Sequence, residues 1–146
     1  MFSEVDMFDL DPKRVKVAKQ LVTTHPSVKR VEQRSFSTWK WQCTYDAVFL
    51  CWSAGYLDDA ALEEWLKMAT AHLNNPKSRS LERTCFIWLL DNVAPAGVEF
   101  EENGQRIRSP ERLMGIFRAA GLHIHWQSQE IQLHHLYGVV ILWALC

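Results

Sequence analysis

No glycine precedes Gly55, and the 146 residues contain only six. The first third of the chain therefore has no glycine-rich turn of the kind that lets backbone approach a phosphate or a cofactor closely. Charge of one sign is also missing: the formal net charge is -1, which gives no general attraction to nucleic acid or to an anionic membrane. The longest apolar stretch, "LYGVVILWALC", is far shorter than the roughly 20 residues a membrane helix needs. The N-terminal "MFSEVDMFDLD" is acidic and has neither a presequence nor a signal-peptide pattern, so a cytoplasmic or nuclear protein is expected. The four cysteines, Cys43, Cys51, Cys85 and Cys146, have no metal-ligand spacing. Cys51 and Cys85 fall in apolar runs and read as small core residues of a reducing compartment. Repeats, low-complexity segments and domain boundaries are lacking too, which suggests one domain over residues 1–146.

The composition that remains favours a packed fold. Hydrophobic residues make up 48% of the chain and there are seven tryptophans, enough for a real core with indoles to spare for a binding surface. Residues 4–10 read as a strand. Asp11 caps the next helix with Pro12 at its first position, and Val15, Ala18, Leu21 and Val22 share one face. His25-Pro26 should end that helix. Residues 28–36 read as a partly exposed strand, and "STWKWQCT" as a loop. The run "YDAVFLCWS" over 45–53 reads as a parallel strand buried on both faces. A helix capped by Asp58 or Asp59 follows, with Leu62, Trp65, Leu66, Ala69 and Leu73 inward. "TCFIWLLDN" over 84–92 is a second buried strand, and residues 93–108 read as a long polar connection. Ser109-Pro110-Glu111 opens a helix that Gly121 stops. Two strands without an intervening helix close the chain and imply an antiparallel hairpin. Strands alternating with helices argue an α/β fold with a mostly parallel sheet.

Asp9 lies where such a strand ends. An acid at that place in a nucleotide-binding α/β fold holds a ribose hydroxyl, normally after a glycine-rich loop; here no loop precedes it. Other constellations carry less chemistry. His123, His125, His134 and His135 lack a third ligand at a fixed spacing, so no metal is expected. Lys13, Arg14, Lys16, Lys19, Lys29, Arg30 and Arg34 could face a phosphate backbone, but a solvated helix face accounts for them better in a chain of balanced charge.

Four stretches, "EVDMFDLDPKRVKVAKQL", "YDAVFLCWSAGYLDDAALEEWLKMATAHL", "LLDNVAPAGVEFEE" and "AAGLHIHWQSQE…HLYGVVILWAL", resemble, in order, the C-terminal two thirds of the alpha-N-terminal protein methyltransferases. These are class I S-adenosylmethionine-dependent enzymes that act on protein N-termini beginning Xaa-Pro-Lys. The resemblance implies an incomplete class I methyltransferase (Rossmann-like) sheet, closed by a C-terminal hairpin and lacking the first strand and its glycine-rich loop. In the family order 3-2-1-4-5-7-6 that first strand is central. The strands at 4–10 and 45–53 would each lose a neighbour and expose a row of N–H and C=O groups. At roughly 1–3 kcal/mol for each buried unpaired group, a partner chain, self-association or direct pairing of the two strands is expected, unless the sequence is a fragment.

Residue by residue, the resemblance assigns Asp9, Leu10, Thr38, Trp39 and Cys51 to S-adenosylmethionine. Trp52, Asn92, Glu101 and Tyr137 go to the substrate N-terminus. Trp52, Asn92 and Tyr137 each have a plainer reading: a core Trp after a buried strand, a turn-capping Asn, an ordinary strand Tyr. Methyl transfer needs a neutral amine and hence a proton acceptor, and the family positions for it fall on Tyr56 and Gly104. The resemblance therefore leaves three readings. The chain is a methyltransferase part completed by a partner; or it is a non-catalytic methyltransferase-like subunit of a protein or protein–RNA assembly; or, ranked last, it is active alone.

Overall fold

The computed structural model describes residues 3–74, 85–130 and 138–145. The chain forms two compact units, residues 1–42 and 43–146. The first is one β-α-β element. Strand β1 (Val5–Asp9) and strand β2 (Val28–Gln33) pair in parallel, with helix α1 (Pro12–Leu21) between them. The cap is the expected one: the Asp11 carboxylate accepts the Lys13 N–H at 2.8 Å. It satisfies one of the donors that a helix start leaves open. α1 stops at Leu21, ahead of the expected His25-Pro26, where Thr23 Oγ1 donates to the Gln20 carbonyl. Such a side-chain bond offers the backbone an alternative to another helical turn. β2 likewise ends at Gln33 rather than at residue 36.

Aromatic packing shapes the rest of this unit. The loop after β2 folds Trp39 inward, 8% exposed, stacked on Phe8 at 4.6 Å. The Arg30 guanidinium lies 3.9 Å from the Trp39 ring centre and pairs with Asp6 at 3.0 Å. A cation held over an indole face while bound to a carboxylate is well compensated for its burial.

The second unit holds a sheet in the order β3-β4-β8-β7. Its strands are β3 (Ala47–Cys51), β4 (Phe86–Val93), β7 (His123–Glu130) and β8 (Gly138–Leu145). β3 and β4 are parallel; β8 runs antiparallel to both β4 and β7, as the closing-hairpin expectation requires. Helices α2 (Asp59–Ala71) and α3 (Pro110–Ala119) start at side-chain caps. Asp58 accepts from the Ala61 N–H and Ser109 from the Arg112 N–H. All five apolar residues anticipated for α2 and its end, Leu62, Trp65, Leu66, Ala69 and Leu73, are buried, with Leu113, Ile116 and Phe117 of α3.

Three expectations need correction. The sheet is not mostly parallel: of the three ladders of the second unit only β3–β4 is parallel, and β8 runs antiparallel to both of its neighbours. β3 is not buried on both faces: Leu50 is buried, but Phe49 is 43% exposed and Cys51 is also exposed. β4 explains why, because Ile87, Leu89, Asp91 and Val93 are buried while the residues between them are only half buried. One face of the sheet carries the core. On the other, Phe49 meets Phe86 and Trp88 edge-on. Nor is the segment after β4 a featureless connection. It contains a hairpin, β5 (Phe100–Glu102) and β6 (Gln105–Ile107). Its turn is Asn103-Gly104, with φ of 52° and 75°. Two successive left-handed residues make the type I′ turn that suits strand twist, and Asn-Gly is its strongest sequence signal.

Gly104 is thus a turn residue. No atom lies within 4 Å of where its Cβ would be, so backbone strain alone opposes a side chain there. Gly104→Asp should fold and weaken the hairpin by about 1 kcal/mol. Faster amide exchange at Gln105 would report it, and unchanged exchange would refute it.

Candidate functional site

In open α/β sheets, ligands bind beyond the carboxyl ends of the parallel strands. In the second unit those ends are Cys51-Trp52 and Asp91-Asn92. Trp52 leaves β3 with φ of 49°, a region that bulky residues rarely adopt. Its N–H donates to the Leu90 carbonyl at 2.8 Å, and its side chain is 41% exposed. A single 3-10 turn, Ala54–Tyr56, follows.

That turn is held by charged side chains. Asp91, 4% exposed, accepts the Ala54 N–H at 2.8 Å and the Asn92 N–H at 2.9 Å. Burial raises the Asp91 carboxyl above its ordinary range; the backbone N–H groups of Asn92, Ala54 and Gly55 and the charge of Arg108 oppose this without cancelling it. On the other side, buried Arg108 donates to the Ala54 and Leu57 carbonyls and to Asp59 at 2.7 Å. Partial burial alone would raise the Asp59 carboxyl. The hydrogen bonds from Arg108 and Arg112 outweigh it and hold the group below its usual range.

The β5–β6 hairpin closes over the same turn. A Cβ on Gly55 would stand 3.3 Å from both the Arg106 carbonyl oxygen and Gln105 Cβ, which only glycine accommodates without displacement. Gln105 Nε2 donates to the Tyr56 hydroxyl at 2.6 Å. Tyr56 is 58% exposed, so it stands at the surface of the site with one lone pair engaged.

The described residues assigned to the substrate side, Trp52, Asn92 and Glu101, lie in the second unit. Trp52, Tyr56 and Asn92 flank the two strand ends. Asn92 donates its backbone N–H to Asp91, and its half-buried side-chain amide has no hydrogen-bond partner among the described residues. Glu101, on β5, is 70% exposed and sits 3.4 Å from Arg106, so its charge is partly neutralised within the hairpin. Cys51 is exposed, and partial burial and the Asp91 carboxylate raise its thiol; it remains neutral. Tyr137, with His134 and His135, lies outside the described residues. Among the described residues no group of three His, Cys, Asp or Glu could hold a metal, and no helix is long and apolar enough to cross a membrane.

The first unit carries the other assigned residues. Asp9 Oδ1 accepts the Asp11 N–H at 2.8 Å; Oδ2 has only a long contact of 3.7 Å with exposed Arg14. Leu10 is 67% exposed. Thr38 Oγ1 accepts the Ser35 N–H and bonds the Ser35 hydroxyl, which makes it a turn-former. Trp39 is buried against Phe8 and Arg30, so the face beside Phe8 and the face beneath the guanidinium are both taken. The basic residues Lys13, Arg14, Lys16 and Lys19 of α1 are exposed.

The residues that sequence reasoning missed as site-builders are Asp91, Arg108, Asp59 and Gln105. Asp91 had a signal, being the one charged residue in the apolar run 86–91. The partners of Arg108 and Gln105 lie 49 or more positions away, and no local pattern reveals them.

A family described as "AdoMet dependent proline di-methyltransferase" matches residues 1–146. Among solved structures, a SAM-dependent methyltransferase of the DUF858 family from Leishmania major superposes with a TM-score of 0.79 at 20% identity. The match covers 99% of this chain and 55% of that one, so the chain spans about half of that relative. A SAM-dependent methyltransferase from Clostridium acetobutylicum gives 0.69 at 11% identity over 97% and 75% of the two chains. The N-methyltransferase NodS from Bradyrhizobium japonicum gives 0.75 at 8% over 97% and 72%. Comparison with curated proteins gave no match.

Proposed function

Because the chain belongs to the AdoMet-dependent proline di-methyltransferase family, we propose that it forms the substrate side of a protein α-N-terminal methyltransferase, built as one domain over residues 1–146 and completed by a further polypeptide segment. The observation that carries this reading is the pair of strand ends. An exposed indole at Trp52 in a strained conformation stands at one, and an Asn92 side-chain amide with no hydrogen-bond partner among the described residues at the other. A flat aromatic face suits a proline ring. A carboxamide can hydrogen-bond a terminal amine in either protonation state.

The cofactor of the family is S-adenosylmethionine, which when bound supplies an electrophilic methyl group. The residues fit its nucleoside end: Asp9 keeps one carboxylate oxygen with only a long ion contact, and Leu10 presents an exposed apolar surface. For its amino-acid end the described residues offer no glycine-rich turn. The left-handed glycines are Gly97, Gly104 and Gly121: Gly97 lies between β4 and β5, Gly104 at the hairpin tip, and Gly121 after α3. The strand edges support a completing segment. Among the described residues β1 and β3 each have a single ladder partner, and Phe49 stands exposed on β3.

The same geometry argues against turnover by the chain alone. A terminal amine must lose its proton before it can attack. Tyr56 is engaged by Gln105, Gly104 has no side chain, Asp91 is spent on backbone N–H groups, and Glu101 faces Arg106. These internal pairings also favour a second reading, a non-catalytic methyltransferase-like subunit of a protein or protein–RNA assembly.

Calorimetric titration of S-adenosylmethionine into the purified chain, with mass checked by light scattering, separates the readings. The folded monomer is expected to bind none, and assembly with the completing segment to restore binding and methylation of Xaa-Pro-Lys peptides. Methylation by the monomer would overturn the need for a partner. An assembled protein that binds neither cofactor nor peptide would leave the structural subunit.

A further inference from the structure

Arg108 is held more tightly than an ordinary structural cation needs to be. Its side chain is 1% exposed. Nε donates to Asp59 Oδ1 at 2.7 Å, one terminal nitrogen to the Ala54 carbonyl at 3.1 Å, and the other to the Leu57 carbonyl. Its own backbone is fixed where β6 meets α3: Val93 and Arg108 form a bridge, and the Arg108 carbonyl accepts the Ala94 N–H at 2.9 Å. Asp59 is further held by Arg112 at 2.6 Å.

The turn it grips has little stiffness of its own. The internal bonds of residues 53–57 are long, 3.3 Å from the Tyr56 N–H to Ser53 and 3.2 Å from the Leu57 N–H to Ala54. Short 3-10 turns bond poorly, and Trp52 starts this one from a costly backbone conformation. Asp91 binds the turn through the Ala54 N–H, and Arg108 binds it through the Ala54 carbonyl. One peptide group on each side of Ala54 is thus gripped by a buried charge of opposite sign. Apolar side chains of the same volume would stabilise such a spot as well or better. What a fork of fixed donors adds is direction.

We propose that Arg108 is a positioning residue: with Asp91 it fixes the turn 52–57 so that the Trp52 indole and the Tyr56 phenol are presented as one rigid wall to the peptide. The peptide part of this inference rests on the functional reading above; the fixing of the wall does not. Lysine cannot replace arginine in this role, because one ammonium cannot reach a carboxylate and two carbonyls in three fixed directions.

The test uses the full chain labelled with 5-fluorotryptophan, the Trp52 fluorine line being assigned with Trp52→Phe. The probe is a short peptide beginning Ala-Pro-Lys. In Arg108→Lys, the amide protection of β4 and β8 should persist, the Trp52 line should broaden or split, and the peptide should bind about tenfold more weakly. Arg112→Lys, on the exposed side of Asp59, should change neither the line nor the affinity. A folded Arg108→Lys with a wild-type Trp52 line overturns the inference. If the wild-type chain binds no peptide even when assembled with the completing segment, the functional reading fails, and the Trp52 line still decides the positioning role. If Arg108→Lys does not fold, hydrogen exchange of the wild type decides. Ala54 and Gly55 should be protected well beyond Asn103 and Gly104, and equal exchange would sink the proposal.

Discussion

Replacing Asp91 with alanine is expected to lower stability by about 2–4 kcal/mol. The carboxylate accepts the N–H groups of Ala54 and Asn92 in a site 4% exposed. Removing it leaves the buried Ala54 N–H and the half-buried Asn92 N–H without their acceptor. The loss should appear as an earlier urea midpoint, followed by tryptophan fluorescence. An unchanged midpoint would mean that the turn finds other acceptors and that the strand ends are not organised through Asp91.

The pH dependence has a definite sign. Burial lifts the folded-state pKa of Asp91 above its unfolded value. Between those two values the folded chain binds more protons than the unfolded one, so stability falls as pH rises. The contribution of Asp91 is therefore fully present below the unfolded pKa and lost as pH rises through the folded pKa. Asp91→Asn should flatten this part of the profile. Asp59 has the opposite sign, because its pKa is lowered: its contribution is present above the unfolded value and lost as pH falls through the folded one. Comparing the two asparagine variants separates the groups.

At Trp52 the expected result is a reversal of the usual order of small residues. Glycine normally costs about 0.5–1 kcal/mol relative to alanine in ordered structure. With φ at 49°, alanine carries the left-handed penalty of about 1–2 kcal/mol and glycine does not. Trp52→Gly should therefore be more stable than Trp52→Ala by up to about 1 kcal/mol. Both lose the indole surface, and with it at least about 2 kcal/mol of affinity for an Ala-Pro-Lys peptide, the scale of an aromatic anchor in an interface. Urea denaturation and peptide titration read the two effects independently. If alanine proves the more stable, the strain is absent. If the affinity survives, the peptide does not lie on Trp52.

Local chemistry was readable wherever neighbours in sequence are also neighbours in space. Asp11, Asp58 and Ser109 cap their helices through the N–H two or three residues on, so composition and spacing determine them. The apolar face of α2 repeats with the helical period and is buried as the pattern demands. The Asn103-Gly104 turn was just as legible, yet the hairpin was hidden within a polar stretch whose strands are only three residues each. The burial of β3 could not be read in this way. An apolar run specifies that a strand can be covered on both faces, and whether it is covered depends on which neighbours are present. Phe49 and Cys51 are exposed for that reason.

The sequence by itself determined the main helices and strands, apart from the β5–β6 hairpin and the 3-10 turn, with the α/β class, the closing hairpin and the family of the chain, because these follow from periodicity, capping chemistry and ordered motifs. The tertiary structure alone decided how the strand-end wall is held: Asp91 and Arg108 reach Ala54 from 37 and 54 positions away. Buried charges are stable only where the fold brings partners to them, and that meeting is a property of the packed chain.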